Sequence, residues 1–387
     1  MIKFSNNISE LYYPPICDFK LIALKNIDKS RKLFNLNQAV PDYLPPDNIK
    51  NILHNAVEEL DYAFYTPDEG LSEFREAISN ELARLYDNKV KSDNICVVAG
   101  ANNAFFSILA TIASSGDEII LLSPYYFNHY MGAKILGVKP VEIVQDLVSG
   151  TLPMDEIEKS ITHRTRAIVI VNPSNPTGKS YSQEEVNLLF ELCKKYNILL
   201  ISDEVYNYFH SDYPKPSSVI NNADWSEFSV SIHSYSKSFS LTGFRVGFIT
   251  SSVEFLHQFM KTHDTNLICA PRIGQIAALE GLKNSITWVE NKATIMKKRV
   301  LEFNNIFRSK QSDFSILSSG AFFIFLTFTF NTSSYEVCLR LIEKENIIML
   351  PGSFFGPCQE KTIRLSLGNL TINEMPEVIE KIHKFSF

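Results

Sequence analysis

The chain has 387 residues, 45% of them apolar, and its 37 Lys plus Arg against 43 Asp plus Glu give a formal charge of -6. That length buries a large core and is a prior for two domains, which excludes a small disulfide-stapled scaffold. No dense basic stretch is available to neutralise phosphates, so a nucleic-acid surface is not expected and a small-molecule partner is.

In chain order, the amino terminus MIKFSNNISELYYPP has no continuous apolar stretch of the signal-peptide kind, and the longest apolar-rich run, 321–330, is too short to span a bilayer. A cytoplasmic protein without a membrane partner is expected. The six cysteines have no close pair and read as reduced, mostly packed thiols rather than a zinc or redox site. Pro-rich spots at 13–16 and 44–47 read as turns. Between about 94 and 250, β-branched runs at 94–98, 118–122, 141–144, 166–171, 198–202, 229–233 and 245–250 alternate with helical patterns. Such alternation predicts an α/β fold with a mostly parallel, doubly wound sheet, placed in a large domain over 46–285. A helix is predicted at 104–113, opened by Gly100-Ala101-Asn102. Another is predicted at 182–196, where Leu188, Leu189, Leu192 and Cys193 keep helical spacing and Ser182 precedes Glu184 and Glu185 as a cap. Beyond about 285 a long charged helix, 288–307, and a strand, 321–329, predict a smaller α/β domain over 286–387 that includes residues 1–45.

Open α/β sheets bind ligands beyond the carboxyl ends of their strands. Lys237 stands in such a place, where a lone lysine is ordinarily a solvated charge. Flanked by Ser234 and Ser236 and followed eight residues later by Arg245, it suits a site that holds a phosphate while the amine bonds a carbonyl carbon. Asp203 reads either as a cap for the turn after it or as the partner of a protonated ring nitrogen. Tyr206 shares its face if that turn is helical. Asn175, in the loop from Asn172 to Gly178, could contact a ring oxygen, although Asn-Pro pairs are ordinarily turn chemistry. Gly100-Ala101-Asn102 offers the free N–H groups of a helix start to an anion, or serves packing alone. Tyr126, within Tyr125-Tyr126-Phe127, is either a core aromatic or a stacking platform. Arg364, inside Ile363-Arg364-Leu365-Ser366-Leu367, needs an anionic partner or an exposed end, and a bidentate grip on a carboxylate is one solution. None of the eight histidines has another at i, i+4, so no metal site is expected; His129 and His263 fall where they could line a pocket but read as structural.

Five segments, FYTPDEGLSEFREAI, NPSNPTG, SDEVYNYF, SYSKSFSLTGFRVGF and IRLSLGN, occur in an order that resembles the class I/II aminotransferases, the aspartate-aminotransferase-like, fold-type I pyridoxal-phosphate family. The resemblance covers about 38 to 368. It implies the cofactor pyridoxal 5'-phosphate, with Lys237 as the Schiff-base lysine and general base and Asp203 at the pyridine nitrogen. Tyr206 and Asn175 would then meet the ring hydroxyl, Tyr126 would stack on the ring, and Gly100, Ala101, Asn102, Ser234, Ser236 and Arg245 would hold the phosphate. Arg364, with Asn175 and the segment at Ala39, would bind the substrate carboxylate. Tyr65 would reach the phosphate of a neighbouring subunit, implying a homodimer with shared sites. Two positions depart from the family pattern: Ala39 stands where glycine is usual, which bears on substrate fit, and Tyr126 where tryptophan or phenylalanine is common. The implied reaction moves an amino group between an L-amino acid and a 2-oxo acid. A lyase, cyclase or decarboxylase on the same fold is the alternative, and a non-catalytic cofactor-binding protein is a third reading.

Overall fold

The computed structural model describes residues 2–56, 58, 60–210 and 215–387. Its strands, in chain order, are β1 (Phe34–Asn35), β2 (Ile95–Val98), β3 (Glu118–Ser123), β4 (Lys139–Val144), β5 (Thr165–Val171), β6 (Leu199–Asp203), β7 (Ser229–Ser234), β8 (Gly247–Thr250), β9 (Phe314–Gly320), β10 (Phe323–Phe328), β11 (Ile347–Ile348), β12 (Leu350–Pro351) and β13 (Thr362–Ser366). Seven of them form one sheet in the order β2-β8-β7-β6-β5-β3-β4. Neighbours from β7 to β4 run parallel, and β8 lies antiparallel to both β7 and β2. These are the seven runs expected from the sequence. They were legible because a parallel strand covered on both faces reads as a continuous apolar run, and all six residues of β3 and six of the seven in β5 are buried.

The crossover helix Gln183–Tyr196 begins as expected at Ser182, whose side chain accepts from the Glu185 N–H while the Glu185 carboxylate accepts from the Ser182 N–H. The helix predicted at 104–113 starts three residues earlier, as Ala101–Ile112, with Gly100 as its N-cap at φ 83°. The apolar period begins only at Ala104, because the first turn, Ala101-Asn102-Asn103, is not core: Ala101 and Asn102 face a cavity instead.

A second, antiparallel sheet has the order β12-β13-β10-β9, and β1 pairs in parallel with β11 beside it. The long helix Ile286–Arg308 covers it, and Phe303, Phe323, Phe325, Leu341 and Ile363 are fully buried in its core. Of the first 45 residues, the helix Pro15–Asn26 and β1 pack with this sheet. The turn Asn6–Ser9 lies instead on the helix Phe127–Ile135, where Asn7 Nδ2 donates to the Ile135 carbonyl at 3.3 Å. Among the described residues no helix is long and apolar enough to cross a membrane.

The register of the large sheet decides what can meet. Val98, Gly247 and Ser234 lie side by side across β2, β8 and β7. Val171, Asp203 and Ile232 do so across β5, β6 and β7. The residues following β2, β5, β6 and β7 and preceding β8 therefore emerge along one edge.

Candidate active site

At that edge lies a cavity of about 480 Å³. Its wall is made by Ala101 and Asn102 after β2, Tyr126 after β3, Asn175 after β5, Asp203 and Tyr206 at the end of β6, and Ser234, Ser236, Lys237 and Arg245 between β7 and β8. Gly100 stands directly behind: a Cβ there would lie 2.4 Å from a terminal nitrogen of Arg245. With φ at 83°, the position favours glycine on backbone grounds as well. The Arg245 guanidinium is pinned by donating to the carbonyls of Thr242, at 3.0 Å, and Ala99, at 3.2 Å. Ser234 Oγ donates to Ser236 Oγ at 2.9 Å, so the two hydroxyls form one polar surface beside it.

Lys237 is half-buried, and its Nζ donates to the Ala39 carbonyl. Removal from water, followed by the guanidinium charges of Arg364 and Arg245, pushes its pKa down from 10.5 to about 8. Ala39 is itself buried, and the cavity wall from its segment is Gln38 and Val40, two residues with no distinctive sequence signal.

Asp203 is the last residue of β6 and buried. Its Oδ1 accepts the Val205 N–H at 3.2 Å, which tightens a turn that is not helical; the only helical element there is a 3-10 turn over Asn207–Phe209 with Tyr206 as its N-cap. The condition set for Tyr206, a helical turn after Asp203, is thus not met, because a carboxylate bonded two residues on competes with the helical ladder. Tyr206 reaches the wall all the same, held edge-on against Phe323 with ring centroids 5.2 Å apart, and burial pushes its phenol well above the usual range. The other carboxylate oxygen of Asp203 lies 3.3 Å from His129 Nε2. His129, read as a structural imidazole, is buried as expected, and its contact with Asp203 places it behind the cavity wall. The available signal was its place three residues after Tyr126, one turn along the same helix, where its ring meets that of Tyr126 at 5.4 Å and 84°.

Arg364 is nearly fully buried in the middle of β13. One terminal nitrogen donates to Asn175 Oδ1 at 3.0 Å and the other to the Asn37 carbonyl; Nε has no partner, and no carboxylate pairs with it among the described residues. Phe323 and Phe355 lie 5.1 and 5.3 Å from its Cζ. Burial pushes its pKa down to about 10, which leaves it charged at neutral pH. The arrangement is a desolvated cation bonded only to neutral groups. Tyr65 does not join the cavity of its own chain: it is 75% exposed, and its carbonyl accepts from Arg272 at 3.4 Å.

The sequence matches the family described as Aminotransferase class I and II over residues 31–382. The chain belongs to the class I and II aminotransferases. Among relatives of this aminotransferase, the probable aspartate/prephenate aminotransferase of Aquifex aeolicus is 32% identical over 98% of each chain. The putative aminotransferase YugH of Bacillus subtilis is 30% identical over 91% of each. Among solved structures, the aspartate aminotransferase of Thermotoga maritima superposes with a TM-score of 0.89 at 27% identity, over 99% of each chain. The two sheets described above are thus the aspartate-aminotransferase fold, and the enzyme is a transferase acting on an amino acid and a 2-oxo acid.

Proposed function

We propose that this aminotransferase carries pyridoxal 5'-phosphate in the cavity at the sheet edge, bonded to Lys237, and that Lys237, Asp203 and Arg364 divide the work of moving the amino group. One observation carries the reading. The cavity wall combines an amine of depressed pKa and a buried carboxylate, and behind its Asn175 stands a buried guanidinium without a carboxylate partner among the described residues. The donor set fits the cofactor. The free N–H groups at the start of Ala101–Ile112, with Asn102, Ser234, Ser236 and Arg245, suit a phosphate, and Gly100 keeps clear the space that a methyl group would take from Arg245. Asp203 would meet the pyridine nitrogen, Tyr206 and Asn175 the ring hydroxyl, and Tyr126 the ring face.

When bound, pyridoxal phosphate supplies a ring that takes up the charge left at the substrate α-carbon. Lys237 Nζ, once the substrate amine has displaced it from the cofactor, would take a proton from that carbon and return one. Asp203 holds the ring nitrogen protonated by facing it with a negative charge in a desolvated place. Arg364, steadied by Asn175, orients the substrate by its carboxylate. The exposed Tyr65 supports a homodimer in which it serves the neighbouring site. The division of the core between the two sheets supports a cofactor-binding unit over 46–285, with 1–45 and 286–387 forming the smaller one.

The test is a half-reaction: loaded protein mixed with one equivalent of amino acid and no oxo acid should release one equivalent of 2-oxo acid and leave the cofactor in its amine form. Release of ammonia or carbon dioxide would contradict the reading.

A further inference from the structure

Asp203 is followed by a second buried carboxylate that faces the other way. Successive side chains at a strand end point to opposite faces. Asp203 points into the cavity, whereas Glu204, fully buried, points into the core on the other side of the sheet. There its carboxylate accepts from Tyr86 Oη at 2.9 Å, Ser202 Oγ at 3.0 Å and Ser218 Oγ at 2.8 Å, and from the Val219 N–H. Its main chain is held too: its N–H donates to Ile232 at 2.7 Å, and its carbonyl accepts from Asn207 at 3.0 Å. Tyr86 Oη in turn accepts from Asn207 Nδ2 at 3.3 Å.

These contacts reach Glu204 from four directions: the residue after the helix Ser72–Leu85, β6 itself, the turn Val219–Asn221, and β7. Among the described residues, the titratable group close to it besides Tyr86 is His233 on β7, whose Nε2 lies 4.0 Å away. Burial pushes His233 down to about 3, so it is neutral and does not compensate a charge. A buried acid without a cation is expensive, and burial pushes Glu204 up to about 7 in spite of its four donors. An apolar side chain would fill a core at less cost. What the carboxyl adds is a directional tie, from three separate segments, on the residue that sits between Asp203 and Tyr206.

We propose that Glu204 is a positioning residue for this site: through Tyr86, Ser202 and Ser218 it fixes, from beneath the sheet, the turn that carries Asp203 and Tyr206. The inference rests on the reading of Asp203 given above. A shift of the Asp203 carboxylate by a fraction of a hydrogen-bond length would weaken its hold on a ring nitrogen without unfolding the chain.

The test uses full-length, cofactor-loaded Glu204→Gln and, since that variant risks misfolding, the milder Tyr86→Phe, which removes one hydroxyl donor. Three quantities are read: the thermal midpoint of the cofactor-free protein, the pH midpoint of the cofactor's visible band, and kcat and KM for an amino acid. Both variants are expected to shift the band midpoint by about half a unit or more and to lower kcat by ~10-fold with little change in KM. The double variant should be no worse than Glu204→Gln alone, because both act through one tie. A band midpoint and kcat equal to wild type in folded Tyr86→Phe and Glu204→Gln, or a loss confined to the thermal midpoint, overturns the proposal. Asp203→Asn, measured alongside, separates the two readings. If it slows the reaction while the Glu204 and Tyr86 variants do not, only the positioning role fails; if it does not, the role of Asp203 itself has failed.

Discussion

Replacing Asp203 by Asn isolates charge from shape. The amide oxygen of Asn can still accept the Val205 N–H that Oδ1 accepts at 3.2 Å, so the turn should hold. Its nitrogen half would then face His129 Nε2, which lies 3.3 Å from Oδ2. What is lost is one negative charge on a buried side chain. Opposite unit charges about 4 Å apart, at an effective dielectric of about 20, attract by about 4 kcal/mol. If an amide dipole keeps about a third of that, the remaining loss of nearly 3 kcal/mol slows proton abstraction by ~10²-fold. The assay is a stopped-flow half-reaction at full cofactor occupancy, with the substrate α-proton and α-deuteron compared so that abstraction is the step observed. The alternative is that Asp203 only caps its turn, a task Asn performs equally well. Asp203→Asn turning over within a few-fold of wild type would refute the electrostatic argument.

Other outcomes follow from the same geometry. Arg364→Lys keeps the charge but loses the fork between Asn175 and the Asn37 carbonyl, so kcat/KM for amino acids should fall by ~10- to 10²-fold, mostly in KM; an unchanged KM would remove Arg364 from substrate binding. Gly100→Ala puts a methyl group against Arg245 at a φ of 83°, and titration of cofactor-free protein should show pyridoxal phosphate bound at least ~10-fold more weakly. Equal affinity would mean that the phosphate is held elsewhere. Because only the neutral amine captures an aldehyde, and the pKa of Lys237 is lowered rather than raised, the rate of covalent capture should climb through about pH 8. A midpoint at the ordinary 10.5 would show that the amine is not desolvated.

The large sheet was legible because parallel strands buried on both faces announce themselves as apolar runs, and the register then brings their polar ends together without further information. Arg364 was legible for the opposite reason, as a charge inside an apolar strand. What escaped was set by tertiary contact. The opening Gly100-Ala101-Asn102 was read, but the exact first residue was not, because the helix at Ala101 starts on a glycine of positive φ with no side-chain cap. His129 is one imidazole among aromatic residues, and only the packing against Asp203 gives it a role. Gln38 and Val40 reach the cavity because Ala39 between them is turned to meet Lys237, an alternation that a segment outside any long strand does not display. Glu204 had no reading of its own, since the facing hydroxyls of Tyr86 and Ser218 are 118 and 14 residues away in the chain.

Borohydride reduction followed by peptide mapping, performed on the same loaded sample before and after a single equivalent of amino acid, tests the central claim. The resting enzyme should carry the reduced cofactor on the Lys237 peptide, the label should vanish once the amino acid has given up its amino group, and a 2-oxo acid should restore it. A label on any other lysine, or one on Lys237 that persists after the amino acid has been consumed, would contradict amino-group transfer at this site.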